Sequence, residues 1–288
     1  MIPAPGCFPT TALAESEKGG QQDENHKNAG LGNDYLYFHE EVPADVSDLS
    51  ILLSDRHYGV GSDGLIYITE SKTADFGMRI FNADGSEALM CGNGIRCVGK
   101  YIYEKGLSDK TDLLIETRSG IRRLRLDVHE GKVTSVSVNM GTVSVSPAVT
   151  VEAGEQTYTL YQVSTGNPHA VIFTDEEGLS LPEKIGSLIE HHPLFPGGVN
   201  CEFVNVRNDG TLRMWVWERG SGVTMACGTG AAASAAAVFT CAVHEKGTVI
   251  VELDGGILEF AKAENGEFWM KGPAEFVFEA EMEGVRQK

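Results

Sequence analysis

At 288 residues and 31.0 kDa the chain is long enough for about two domains and for a core that needs no disulfide or metal staple. Hydrophobic residues make up 42% and charged residues 22%, which excludes a mostly disordered chain. The formal net charge of −18 repels phosphate backbones and anionic surfaces, and no apolar run is long enough to span a bilayer, so no nucleic acid and no membrane partner is expected.

Residues 1–24 are rich in Pro, Gly, Gln, Ser and Glu without periodicity and read as a disordered leader, not a secretory signal. Order is expected from near Asn25, and Asp34–Phe38 reads as a strand. Val46, Leu49, Leu52 and Leu53 give Asp45–Asp55 a helical stripe. Leu65–Thr69 and Phe76–Asn82 read as strands, Gly92–Lys105 as a helix, and Leu113–Thr117, Ile121–Val128 and Val133–Asn139 as strands. The second half continues with strands at Val145–Val151, Thr157–Ser164 and Ala170–Phe173, a helix at Pro182–Glu190, and strands at Cys201–Val206 and Arg213–Trp217. An Ala-rich helix at Gly230–Val243 is followed by strands at Val249–Leu253, Ile257–Ala261, Phe268–Lys271 and Glu275–Phe278. Strands joined by short turns, with about one long helix per half, give an α+β class with mixed to antiparallel sheets.

Six cysteines are scattered along the chain, at 7, 91, 97, 201, 227 and 241, and no pair has C-x-x-C spacing. A zinc site therefore has little support, no metal is expected, and reduced thiols in the cytoplasm are the better reading. Cys97, Cys201 and Cys241 sit among apolar neighbours and read as core.

The two halves share a motif. Gly85-Ser86 leads to Cys91-Gly92-Asn93-Gly94 and a helix; Gly220-Ser221 leads to Cys227-Gly228-Thr229-Gly230 and a second helix. The Gly-Ser to Cys spacings differ by one residue, and the two cysteines lie 136 residues apart, about a domain length. Two related domains, each placing one Cys at a helix start, is the inference. A single Cys in a Gly-rich turn is most often structural; its recurrence in both halves favours function.

A thiol at a helix N-terminus feels the positive end of the dipole, which favours the thiolate. The first-turn N–H groups have no intrahelical partner and can hold an anion. Two such ends facing each other would bind one carboxylate and set a sulfur on either face of the adjacent carbon. That suits inversion at the α-carbon of an amino acid: one thiolate takes the proton, the opposing thiol returns one, and the carbanion's charge spreads into the carboxylate. No lysine context suggests pyridoxal phosphate, so no cofactor is expected.

The residues Asn82-Ala83-Asp84-Gly85-Ser86-Glu87 through Cys91-Gly92-Asn93-Gly94-Ile95-Arg96-Cys97, with Glu218-Arg219-Gly220-Ser221-Gly222 through Cys227-Gly228-Thr229-Gly230, closely resemble the diaminopimelate epimerases. Gly30-Leu31-Gly32-Asn33-Asp34, Asp55-Arg56-His57 with Gly59-Val60-Gly61, Gly166-Asn167-Pro168-His169 and Gly272-Pro273-Ala274 extend the resemblance over residues 28–288. It implies two similar lobes, each a barrel-like sheet around a central helix, with the active site between them. The expected division is 25–139 plus 273–288 for the lobe with Cys91, and 140–272 for the lobe with Cys227.

The resemblance further implies cofactor-independent epimerisation of LL-2,6-diaminopimelate to the meso isomer, for lysine and peptidoglycan precursors, with this small molecule as partner. It leaves room for a homodimer. Cys91 and Cys227 would be the two bases. Asn33, Asn82, Asn167, Asn200, Glu218 and Arg219 match substrate-holding positions, and the amides of Gly92, Asn93, Gly228 and Thr229 would face the reacting carboxylate. His169 would help order the reactive end, and Asp84 reads as a turn residue.

Two departures stand out. Some members carry Gln where this chain has Gly64, and others carry His where it has Ala29; the first leaves the distal-end contacts open. The leader stands where the family begins its first strand, so Asn25–Asn28 are expected to pair poorly or the strand to start late. A proline or hydroxyproline racemase of the same fold would typically carry Cys-Gly-His-Gly, and Asn93 argues against it. A redox-sensing pair of thiols is a third reading, which an activity assay with and without reductant separates.

Overall fold

The computed structural model describes residues 24–241 and 247–281. In the first half β1 (Glu24–Gly30), β2 (Asn33–Phe38), α1 (Val46–Ser54), β3 (Gly64–Thr69), β4 (Phe76–Asn82) and β5 (Glu87–Ala88) come first. They are followed by α2 (Gly92–Glu104), β6 (Asp112–Thr117), β7 (Gly120–His129) and β8 (Lys132–Thr142). The second half begins with β9 (Ser144–Val145), β10 (Val149–Ala153), β11 (Gln156–Ser164), β12 (Pro168–Phe173) and α3 (Ser180–Glu190). β13 (Asn200–Val206), β14 (Leu212–Glu218), β15 (Gly222–Thr224) and α4 (Gly228–Thr240) follow. β16 (Thr248–Leu253), β17 (Gly256–Lys262), β18 (Glu267–Gly272) and β19 (Glu275–Glu281) complete the described residues.

The halves repeat one topology. β2 and β3 are parallel across α1, as β12 and β13 are across α3; β4 and β6 are parallel across α2, as β14 and β16 are across α4. The other pairs are antiparallel. The lobes join where β8 pairs with β18. Each lobe is then closed by the strand that leaves the other: β9 follows β8 and pairs with β11, while β19 follows β18 and pairs with β1.

Each barrel-like sheet wraps a helix. Ala231 to Ala237 of α4 are all buried, so small side chains let the sheet close around the whole helix. The α2 interior is Ile95, Val98 and Ile102, on the stripe read from the sequence.

Several expectations change. The first strand starts at Glu24; residues 24–29 pair with β19, with one register shift between Lys27 and Asn28, and residues 26–30 pair with β2, so the strand does not start late and residues 25–28 are all paired. Residues 1–23, including Cys7, lie outside the described residues. Val145–Val151 is not one strand: β9 and β10 are separate partners of β11, and between them Pro147 has no N–H to give a ladder. Each half has two helices, the shorter being the crossover that makes parallel pairing possible. α4 begins at Gly228, two residues early, and ends at Thr240; Val243 lies outside the described residues.

Candidate active site

β4 pairs with β5 through Ile80–Ala88 and Phe81–Glu87, and β14 with β15 through Val216–Thr224 and Trp217–Val223. Every matched position is offset by the same 136 residues that separate the cysteines. The one-residue slip between the two Gly-Ser steps is therefore not an insertion; the dipeptides occupy different places in turns of equal length. Asp84 accepts from Ser86 N at 2.9 Å, the turn role expected for it.

Both cysteines are N-caps. Cys91 (φ −133, ψ 117) and Cys227 (φ −126, ψ 108) are extended, and each thiol sulfur accepts the amide of the third helical residue, Gly94 at 3.3 Å and Gly230 at 3.4 Å. A thiol here does what Ser or Thr does at an ordinary helix start. The helix ends meet N-terminus to N-terminus at glycines: a methyl added at Gly228 would lie 3.8 Å from Gly92 Cα and 3.6 Å from Asn93 Oδ1. Beneath both lies Met270, whose Sδ would be 3.4 Å from that methyl. The N–H groups of Gly92, Asn93, Gly228 and Thr229 thus belong to two helix ends at one junction, between lobes.

Around Cys91, the thiol donates to Asn33 Oδ1 at 3.3 Å, and Asn33 Nδ2 donates to Asp63 Oδ2 at 2.7 Å. Asp63 also accepts the Asp34 amide and pairs with Arg56, which pins the start of β2 that carries Asn33. Around Cys227, Thr229 Oγ1 is 3.5 Å from the sulfur. Glu218 bonds Thr224 and is held above the usual carboxyl range, mainly by burial. His169 lies between Glu202 Oε1, 2.7 Å from Nδ1, and Asn167 Oδ1, 3.2 Å from Nε2. Asn200 Oδ1 accepts the Arg219 amide at 2.9 Å, and Asn200 Nδ2 donates to the Pro168 carbonyl at 3.3 Å. The Asn82 carboxamide bonds Ser86 and the exposed Arg219 guanidinium bonds the Gly197 carbonyl, so these two end groups stand apart from the cluster in their hydrogen bonds.

The expected lowering of both thiol pKa values is overturned. Burial pushes Cys91 above its ordinary value against the Gly94 and Asn93 amides and Arg96. It pushes Cys227 well above, with Glu218 and Glu202 adding to the effect. Desolvation of a buried sulfur outweighs a half-charge at a helix end. Cys97 and Cys201 are core thiols as expected, but Cys241 is half-buried at the α4 C-terminus, where the helix leaves the barrel.

Three residues escaped the sequence reading. Glu202 is fully buried on β13, and its only signal was a charge inside the apolar run from Cys201 to Phe203. Glu190 ends α3 and binds the loop after β14, accepting Trp217 Nε1 at 2.7 Å and the Gly220 amide at 2.8 Å. Arg96 is fully buried in α2. At the Gly64 departure the backbone explains the residue: φ is +153, and a Cβ would meet the Phe81 carbonyl oxygen at 2.1 Å, so no side chain can reach the site from there.

A solved phenazine biosynthesis protein of the PhzF family from Bacillus anthracis shares the fold with a TM-score of 0.72 at 16% identity, over 91% of this chain and 99% of that one. A hydroxyproline epimerase from Agrobacterium vitis does so with a TM-score of 0.64 at 17% identity, over 90% and 92%. Likeness in sequence is closer elsewhere. The diaminopimelate epimerase of Acetivibrio thermocellus is 44% identical over 272 residues, covering 89% of this chain and 97% of its own length. That of Parabacteroides distasonis is 48% identical over 257 residues, covering 88% and 95%. The diaminopimelate epimerase family model matches residues 26–146 and 161–277, a span that holds both capped helix starts and every polar residue around them. With that coverage, the chain belongs to the diaminopimelate epimerase family.

Proposed function

We propose that the protein inverts one α-carbon of LL-2,6-diaminopimelate to give the meso isomer, without a cofactor. The observation that carries this is the meeting of two cysteine-capped helix N-termini at Gly92 and Gly228, between lobes, in a chain of this family. A carboxylate lying at that junction would take amides from Gly92, Asn93, Gly228 and Thr229, and its α-carbon would lie between the sulfurs. As the proton leaves to one thiolate, charge grows on the carboxylate, where both helix dipoles already point. The opposing thiol then donates from the other face. Each sulfur is thus acid in one direction and base in the other.

In this reading Asn33 orients Cys91 and contacts substrate, and His169, held by Glu202 and Asn167, orders the reactive end. Asn82, Asn167, Asn200, Glu218 and Arg219 pair the ammonium and distal carboxylate. The same reading places the lobe boundary at 139/140 with 273–288 returning to the first lobe, supported by the pairing of β19 with β1. It also places the protein in the cytoplasm; among the described residues no helix is long and apolar enough to cross a membrane.

A panel of LL-diaminopimelate, L-lysine, L-proline and trans-4-hydroxy-L-proline, read by chiral separation, tests the proposal. Turnover of diaminopimelate with little on lysine is expected, since polar groups built for a distal carboxylate stay unpaired without one. Comparable efficiency on lysine, or preference for proline, would overturn it.

A further inference from the structure

The repeat makes the two cysteine sites equivalent in backbone, yet their buried charges are opposite. Arg96, in the first turn and a half of α2, is fully buried. Its Nη1 donates to the carbonyl of Gly92, the residue after Cys91, at 3.1 Å, and its Nε to the Pro273 carbonyl at 2.9 Å. Nη2 has no hydrogen-bond partner, and no carboxylate among the described residues pairs with the guanidinium. A guanidinium keeps its proton even when buried, and a buried charge without a counter-ion is costly. In α4 the matching position is Ala232.

The Cys227 side shows the reverse. Ile66 pairs with Ile80 and Glu202 with Val216, so Glu202 stands where the first lobe has Ile66; in the same register Glu218 stands where it has Asn82. Glu202 is fully buried, and its Oε2 has no hydrogen-bond partner among the described residues. The groups facing Cys91 are Asn33, Tyr35, Tyr37, Cys97 and Arg96, with Asp63 one hydrogen bond further away behind Asn33; Arg96 in turn also faces the core thiol Cys97 and Tyr37. Those facing Cys227 are Thr229, Glu218, Glu202 and, paired to Glu202, His169. Even with His169 protonated, two carboxylates outweigh one cation there.

We infer that Arg96 is the counter-charge of Cys91 once its thiol gives up the proton it donates to Asn33, so that in the free enzyme Cys91 ionises before Cys227 and is the base, with Cys227 the neutral thiol. The inference rests on the two-thiol reading given under the proposed function. The titration directions agree with it: Arg96 works against burial at Cys91, whereas Glu218 and Glu202 reinforce burial at Cys227. The enzyme is therefore poised for the stereoisomer whose α-proton faces Cys91. The opposite isomer needs a proton moved from Cys227 to Cys91 before it can react. Arg96 acts through Cys91 and need not touch substrate.

The test is the pH dependence of iodoacetamide alkylation on the full-length enzyme, between about pH 6 and 10, with each cysteine peptide quantified by mass spectrometry. Midpoints, not absolute rates, remove the difference in accessibility. The Cys91 midpoint should fall at least about one pH unit below that of Cys227, a tenfold difference in thiolate fraction at neutral pH. Arg96→Met should raise the Cys91 midpoint by about a unit and leave Cys227 in place, and Arg96→Lys should keep it low. Glu202→Gln should lower the Cys227 midpoint alone.

Coincident or reversed midpoints in the unmodified enzyme overturn the inference, and so does a folded Arg96→Met enzyme with an unmoved Cys91 midpoint. Should Arg96→Met not fold, the unmodified enzyme and Glu202→Gln decide. Diaminopimelate turnover is measured on the same preparations. Ordered midpoints without turnover remove the substrate reading alone, and turnover with coincident midpoints removes the charge assignment alone.

Discussion

Gly94 and Gly230 hold the same helical position and donate to the two cysteine sulfurs, so replacing each by Ala makes a controlled pair. At Gly94 the new methyl meets Ile66 Cδ1 at 2.6 Å, the end of a side chain that can turn. At Gly230 it meets Glu202 Oε1 at 2.5 Å and both Cγ and Cδ at 3.1 Å, so the whole carboxylate must move. That carboxylate is fully buried and bonded to His169 at 2.7 Å. For Gly94→Ala, a forced rotamer of about 0.5–1.5 kcal/mol offsets the roughly 1 kcal/mol that Ala gains in a helix. The net change should be within about 0.5 kcal/mol of zero.

For Gly230→Ala, overpacking costs about 1–3 kcal/mol and loss of the charged hydrogen bond about 1.5–3 kcal/mol, against the same helical gain. The net is about 1.5–5 kcal/mol, or a fall in Tm of about 2–8 °C for a chain of this size. Urea unfolding and thermal melts measure both, and kcat should fall only in Gly230→Ala, where the groups beside Cys227 are displaced. Equal stability of the two variants, or a less stable Gly94→Ala, would refute the claim that a pinned carboxylate makes the sites unequal.

Glu190→Gln can satisfy only one of the Trp217 and Gly220 donors, so it should cost about 1–3 kcal/mol in urea unfolding and lower kcat/KM through the loop bearing Glu218 and Arg219; unchanged values in both would remove Glu190 from the site's support. Glu218 is raised above 4.5 by burial, with the Thr224 bond opposing and Glu202 reinforcing. Below 4.5 it is protonated folded and unfolded alike; above that the unfolded chain ionises first, and the fold loses stability until the pH passes the folded value. Glu218→Gln should therefore gain stability relative to the unmodified protein near pH 7 and lose that gain near pH 4, and a gap independent of pH would contradict the burial argument.

What the sequence revealed and what it hid follow from periodicity and context. The capped helix starts were legible because Cys-Gly-x-Gly occurs twice before an apolar stripe. Strands such as β3 and β4 were legible from their β-branched and aromatic runs. Glu202, Glu190 and Arg96 were not, because a charge that ends up buried has the same letter as one in water, and only the fold tells them apart. The Cys pKa expectation failed for the same reason: the helix dipole is local and readable, while desolvation depends on residues far along the chain. β5 and β15, at two and three residues, are too short for any period to show. The lobe closure by β9 and β19 depends on pairing between halves, which no local pattern encodes.

Two thiols acting from opposite faces of one carbon are the core of the proposed mechanism, and isotope entry from heavy water measures this most directly. With LL-diaminopimelate in deuterium oxide, the accepting thiolate takes the substrate's protium while the opposing thiol has already exchanged with solvent. The first-formed meso product should carry deuterium at the inverted carbon, and recovered substrate should carry little. First-formed product holding mostly protium would mean that one base served both faces, and would contradict the account.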